Sequence, residues 1–234
     1  MTCSKTMRET VMTIFDVKKP DFKAAKEEAD LLLLSLTDPI SFPFSLKSLI
    51  RSKTDLKTKS FSKAAAYGIE MEDFGSDDAV LMCKEETGKN IIFYNDQIAV
   101  KNRIKFSLAH ELGHYVLRHR LKDEDYYGIF EVEANFFAAE LLMPQQVIFE
   151  LSRRGAIISV DNLMKWFGVS HQAAQKRIET LNKINNEYRT KDEIEIDKLI
   201  VDKFISFIDS ILPNQSYSNW YEEELLQKER ENWY

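Results

Sequence analysis

His110-Glu111-Leu112-Gly113-His114 is the stretch on which the reading of this chain turns. It lies in a run, roughly Ile104 to Arg118, whose apolar residues recur at helical spacing. Two histidines four residues apart lie about 40° apart around a helix and one turn along it, so both imidazoles reach one ion. Imidazole nitrogen is a good zinc ligand, and a catalytic zinc needs three protein ligands with one position left for water. Glu111 follows the first histidine directly, where a carboxylate can take a proton from that water. The pentapeptide alone is a hypothesis, since a buried helix can carry two hydrogen-bonded histidines by chance. The chain has only four histidines, however, and His110, His114 and His119 fall within ten residues.

The helix around the motif reads as buried. Phe106, Ala109, Gly113 and Leu117 lie on the ligand side, and Ile104, Leu108, Leu112 and Tyr115 on the other. Two histidines and a glutamate inside such a helix are costly unless coordinated or hydrogen-bonded. Gly113 lowers helix propensity between the ligands, which is tolerable where another backbone passes close. His119, five positions beyond His114, points away on a continued helix and reads as a surface residue.

A second helix, Glu131 to Met143 with Pro144 ending it or opening the next, is the expected source of a third ligand. Glu131, Ala134, Asn135 and Ala138 share one face, and the alanines permit close packing. Glu133 lies about 200° from Glu131 and looks elsewhere. Glu131 is therefore the expected ligand, with Glu133 the fallback. Asn135 could accept a hydrogen bond from the free ring nitrogen of a ligand histidine and fix its tautomer.

Around this centre, Asp21 to Leu36 reads as a helix that Asp38-Pro39 breaks, followed by short helices near Leu46 to Ile50 and Phe61 to Tyr67, the latter stopped by Gly68. Ala79 to Cys83 and Asn90 to Tyr94 flank a polar turn and read as a hairpin under the metal helix. An edge strand there could pair with an extended peptide, or the hairpin could be closed core with no free edge. Leu163 to Leu181 outlines two helices around Gly168-Val169-Ser170, resembling a helix-turn-helix. The second offers His171, Gln172, Gln175, Lys176 and Arg177, a modest set for DNA, and completing the body around the metal helices is the preferred reading. His171 reads as a surface or capping residue.

Composition bounds the rest. At 234 residues, 44% hydrophobic and 30% charged, the chain is globular in type, and its longest strongly apolar run, Leu31 to Leu34, is far too short to span a bilayer. No signal peptide is evident in the first twenty residues, and Cys3 and Cys83 make no disulfide framework, so a reducing, cytoplasmic setting is expected. The net charge of −6 arises after residue 185, where 12 of the 38 acidic residues meet 6 of the 32 basic ones. Lys47 to Lys63 carries six Lys/Arg and Asp55; such a run is usually a solvated face, and direct nucleic-acid binding is the minority reading. Leu199, Ile200, Phe204, Phe207, Ile208 and Ile211 form an amphipathic stripe ended by Pro213, and aromatic residues mark the last segment from Tyr217 to Tyr234. The stripe packs on the body or serves as a partner surface. Two parts are expected. Residues 1–185 form a domain around the metal helices, with a helical N-terminal part, a hairpin at about 79–100, metal helices at about 104–118 and 130–143, and a bihelical segment at about 160–184. Residues 186–234 form an acidic helical extension.

Two blocks carry a family resemblance. Arg103-x-Lys105-Phe106-Ser107-x-Ala109-His110-Glu111-Leu112-Gly113-His114, then Glu131-x-x-Ala134-Asn135-x-Phe137-Ala138-Ala139-x-Leu141-Leu142-Met143-Pro144, resembles the ImmA/IrrE family of zinc metallo-endopeptidases. The likeness is close over 103–144 and looser from about Asp21 to Glu179. It implies a small α+β zincin of the gluzincin type, mostly helical, with a small antiparallel sheet beside the HExxH helix. It places His110, His114 and Glu131 as zinc ligands and Glu111 as general base. It further implies cleavage of a helix-turn-helix transcriptional repressor in a phage or mobile-element setting. Tyr94, Tyr126, Tyr127 and Arg103 are candidates for stabilising the oxyanion. Two rival readings remain: a DNA-binding regulator using residues 160–181 with a structural metal, and a partner-binding module that keeps the fold without turnover.

Overall fold

The structure is a computed structural model that describes residues 19–37, 41–65, 68–69, 75–84, 89–120, 123–184, 189–212 and 220–231. The Asp38-Pro39 break, Pro213, the hairpin turn and the first eighteen residues lie outside them, as do the side chains of Trp220, Tyr221, Trp233 and Tyr234.

Helix α1 (Phe22–Ser35) opens where the Asp21 carboxylate accepts the N–H of Ala24 at 2.9 Å, and it buries Ala25, Ala29 and Leu33 at helical spacing. Helix α2 (Leu46–Lys53) buries Leu46, Leu49 and Ile50. Strand β1 (Lys57–Ser60) and the short α3 (Phe61–Ala65) follow, then the hairpin β2 (Ala79–Lys84) and β3 (Lys89–Tyr94).

The sheet has the order β1-β3-β2, with β2 antiparallel and β1 parallel to β3. It is therefore mixed: the expected antiparallel hairpin is present, and β1 joins it in parallel. The added strand, Lys57-Thr58-Lys59-Ser60, lies in the basic run read as a solvated face. It shows no apolar alternation because its exposed lysines face water and only Ser60 is buried, so the periodicity that marks strands is absent.

Helix α4 (Lys101–Val116) packs on β2 and β3 and, on its other side, against α5 (Tyr127–Leu142), which in turn lies against α1. The α4–α5 approach is close. A Cβ on Gly113 would stand 2.8 Å from Phe137 Cδ1 and 3.2 Å from Ala134 Cα, so glycine is what lets the backbones meet there.

Pro144 caps α6 (Gln145–Arg153), and α7 (Val160–Phe167) and α8 (His171–Leu181) form the expected helix pair. Gly168 turns between them in the left-handed conformation, φ 62°, and Ser170 caps α8 by accepting the N–H of Ala173 at 3.3 Å. That turn is fastened to α4: Lys105 donates to the carbonyl of Phe167 at 3.2 Å, and Asn102 to that of Val169 at 3.4 Å. Arg177, counted among possible DNA contacts, is instead buried, donating through both terminal nitrogens to Glu140 at 2.8 and 2.7 Å and through Nε to the carbonyl of Met143 at 2.9 Å. An arginine held this way cannot reach a base edge.

After residue 185, α9 (Lys191–Lys203) starts with a reciprocal cap between Thr190 and Glu193, and α10 (Ile205–Ile211) follows. Ile200, Phe204, Phe207 and Ile208 enter the main core, where Phe42 stacks on Phe204 with ring centroids 4.6 Å apart; Leu199 of the same stripe is exposed. Helix α11 (Trp220–Glu231) lies along α9, with Arg189 donating to Glu224 at 2.6 Å and to Asp197 at 2.7 Å. No helix among the described residues is long and apolar enough to cross a membrane.

Candidate metal centre

The first turn of α5 comes up against the middle of α4, and three side chains converge. His110 Nε2 and His114 Nε2 are 3.0 Å apart. Glu131 sets Oε2 3.4 Å from the first and Oε1 3.2 Å from the second. Among the described residues this is the only group of three or more His, Cys, Asp or Glu side chains so gathered, and no fourth joins it. Zinc bonds of ~2.0–2.1 Å to N and O give a tetrahedron with edges of ~3.3–3.4 Å. The Nε2–Nε2 separation and the two carboxylate contacts lie near those edges, and one donor atom from each residue falls within 4.8 Å of the others, so the donor set suits the ion. The cluster is most open at Glu131, whose side chain is 32% exposed against 15% for His110 and 3% for His114. Glu133, the fallback ligand, lies outside the group.

The electrostatics follow from burial and crowding. Burial pulls the His110 pKa down, but the Glu131 hydrogen bond and the charges of Glu111 and Glu131 outweigh it and hold it above its ordinary value. Burial, then the neighbouring His110, pushes His114 down to about 4. The hydrogen bond from His110 holds Glu131 below the usual carboxylate range. Glu131 thus favours the protonated form of His110, whereas His114 favours the neutral form that can act as a ligand, and a divalent cation would compete with protons for the cluster.

Glu111 lies one residue on, beside β2. Its Oε2 accepts the main-chain N–H of Leu81 at 2.7 Å, and burial lifts its pKa to about 7 against the pull of His110. Leu81 stands opposite Ile92, yet its N–H turns away from β3 towards the site. Alternation along the strand then gives Ala79, Leu81 and Cys83 main-chain groups on the open side. Among the described residues no strand pairs with this side of β2, which is the sheet's edge there, and the Leu81 N–H on it is taken by Glu111 beside the cluster.

Asn135 donates to the carbonyl of Glu131 at 2.7 Å, and its side chain also hydrogen-bonds to His110. Of the four oxyanion candidates, Tyr127 hydrogen-bonds into the cluster, to Glu131, whose charge raises the phenol's pKa. Arg103 is turned to Asp78 at 2.8 Å, Tyr94 lies under the Lys47 ammonium at 3.7 Å, and Tyr126 packs towards Phe130.

His119 is not a surface residue. Its side chain is 3% exposed, with Nδ1 2.9 Å from His114 Nδ1 and Nε2 2.9 Å from Glu133 Oε2. Its ring stacks on Phe130, centroids 4.5 Å apart and planes 15° from parallel. The surface reading extended α4 one turn too far. Arg118 takes the left-handed conformation, φ 56°, and the N–H groups of Arg118 and His119 return to the carbonyls of Tyr115 and His114. That reversal folds His119 back over the histidine it would otherwise point away from. Arginine gives no local sign of such a turn where glycine would have.

Compared with known proteins, residues 64–179 match the family model Peptidase_M78, described as IrrE N-terminal-like domain. The matched segment contains the hairpin, α4 to α7 and all but the last two residues of α8. No curated protein matches the chain.

Proposed function

Residues 64–179 belong to the IrrE N-terminal-like peptidase family, and from that premise we propose that the protein is a zinc-dependent endopeptidase acting on a folded regulatory protein. His110, His114 and Glu131 would hold the ion. The observation that carries this is the convergence of their donor atoms: the two Nε2 atoms lie 3.0 Å apart, and the Glu131 carboxylate sets one oxygen 3.2 Å from His114 and the other 3.4 Å from His110. Zinc bound there supplies Lewis acidity towards a scissile carbonyl and makes water a nucleophile near neutral pH.

The chain's own residues do the rest. Glu111 takes a proton from the attacking water and passes it to the departing amine nitrogen, a transfer favoured when the carboxyl pKa lies near the working pH. The Tyr127 hydroxyl donates to the oxygen that gains charge as the tetrahedral centre forms. The open edge of β2 holds the substrate in extended form through main-chain hydrogen bonds, which accept many side-chain sequences. The family likeness supports a helix-turn-helix transcriptional repressor as substrate, in a phage or mobile-element context inside the cell.

Co-expression with a helix-turn-helix protein encoded beside this chain tests the proposal. A truncated product is expected with the parent protein and none with Glu111→Gln. No truncation by either, with zinc present in the parent, would count against proteolysis of that partner.

A further inference from the structure

We propose that His119 and Glu133 form a positioning pair that orients the His114 ring for metal binding; the inference rests on the zinc site proposed above. The protons along this chain can be assigned. His114 directs Nε2 at His110 and Glu131, so a neutral ring that offers Nε2 as a ligand carries its hydrogen on Nδ1. That Nδ1–H donates to His119 Nδ1 across 2.9 Å. His119 then carries its own hydrogen on Nε2 and donates to Glu133 Oε2 across 2.9 Å. Glu133 Oε1 accepts the main-chain N–H of Asp21 at 2.6 Å. Each group has the partner its protonation requires, and the series ends on the residue that caps α1.

Three elements are pinned by this series: the end of α4, the middle of α5 and the start of α1. Stacking on Phe130 fixes the plane of the His119 ring, so the acceptor it presents to His114 has one direction. The left-handed Arg118, φ 56°, brings the ring there, a backbone conformation that residues other than glycine rarely adopt. A ligand histidine whose far nitrogen is held in this way is preset in both tautomer and orientation, and removing such a partner typically loosens metal binding ~10–100-fold.

Two substitutions separate the acceptor from mere packing. His119→Phe keeps a buried ring against Phe130 but offers no acceptor. His119→Asn places an amide oxygen near the position of Nδ1. Zinc affinity of the full chain, measured by competition with a chelator, and the visible spectrum of the cobalt-loaded protein are the readouts, with melting of the metal-free proteins as a check on folding. His119→Phe is expected to bind zinc ~10–100-fold more weakly, with an altered cobalt spectrum. His119→Asn is expected to recover most of the affinity and the parent spectrum. Equal affinity and unchanged spectrum in His119→Phe, or His119→Asn as weak as His119→Phe, would overturn the positioning role while leaving the zinc site standing. A parent protein that binds neither metal would overturn both.

Discussion

The main-chain N–H of Leu81 donates to Glu111 Oε2 at 2.7 Å, so the open edge of the sheet and the carboxylate beside the metal cluster hold one another. The proposed base is thereby aimed across the line an extended peptide would follow. A substrate carbonyl taking over the Leu81 N–H would free that oxygen for proton transfer.

Glu111→Gln keeps an oxygen to accept the Leu81 N–H and leaves the three ligands untouched. Cleavage is expected to fall ~10²–10⁴-fold with zinc content unchanged. Rate measurements on protein of known metal content decide it; an undiminished rate would remove Glu111 from the role of base.

Zinc loading is expected to eject protons at neutral pH. In the metal-free protein burial raises Glu111 to about 7, so it is partly protonated near pH 7, and the Glu131 hydrogen bond and neighbouring carboxylates shift His110 towards its protonated form. A dication beside them favours their unprotonated forms. Zinc affinity should therefore rise with pH through neutrality and level off above it. The stability of the metal-free fold runs the other way: with a pKa raised from 4.5 to about 7, the contribution of Glu111 is fully present below 4.5 and lost as pH climbs through 7. Calorimetric titration in buffers of different ionisation enthalpy reads the released protons, and none at pH 7 would contradict this assignment.

Gly113→Ala drives a methyl group to 2.8 Å from Phe137 Cδ1 and 3.2 Å from the Ala134 backbone. Either the ring moves or α4 and α5 part, at ~1–3 kcal/mol. A lower melting temperature and weaker zinc binding together are expected. An unchanged melt would show that the contact relaxes freely.

Arg177→Met leaves Glu140 charged and fully buried without its partner, which costs ~3–5 kcal/mol. Adding Glu140→Leu should restore most of that loss, since an apolar pair can replace a buried ion pair. Denaturant unfolding of both variants checks it, and a double variant no better than the single one would contradict it.

What could be read from the residues depended on whether the structure kept to regular geometry. The helix through His110 and His114, the hairpin strands and the α7–α8 pair follow apolar spacing and turn residues, and each lies where that spacing placed it. Glu131 and Glu133 were separable because their helix is regular, and Glu131 is the one that stands beside the two rings. Strand β1 escaped notice because a parallel edge strand of lysine, threonine and serine carries no alternation. His119 escaped because helical geometry was carried past Arg118, where the chain reverses. Arg177 looked like a surface cation because its partner, Glu140, comes from 37 residues away.

Zinc K-edge X-ray absorption on the metal-loaded full chain tests the proposed centre most directly. Two imidazole nitrogens and oxygen donors at ~2.0–2.2 Å, one oxygen being exchangeable solvent, are expected. A third imidazole, a sulfur at ~2.3 Å, or a closed set of four protein ligands would contradict it.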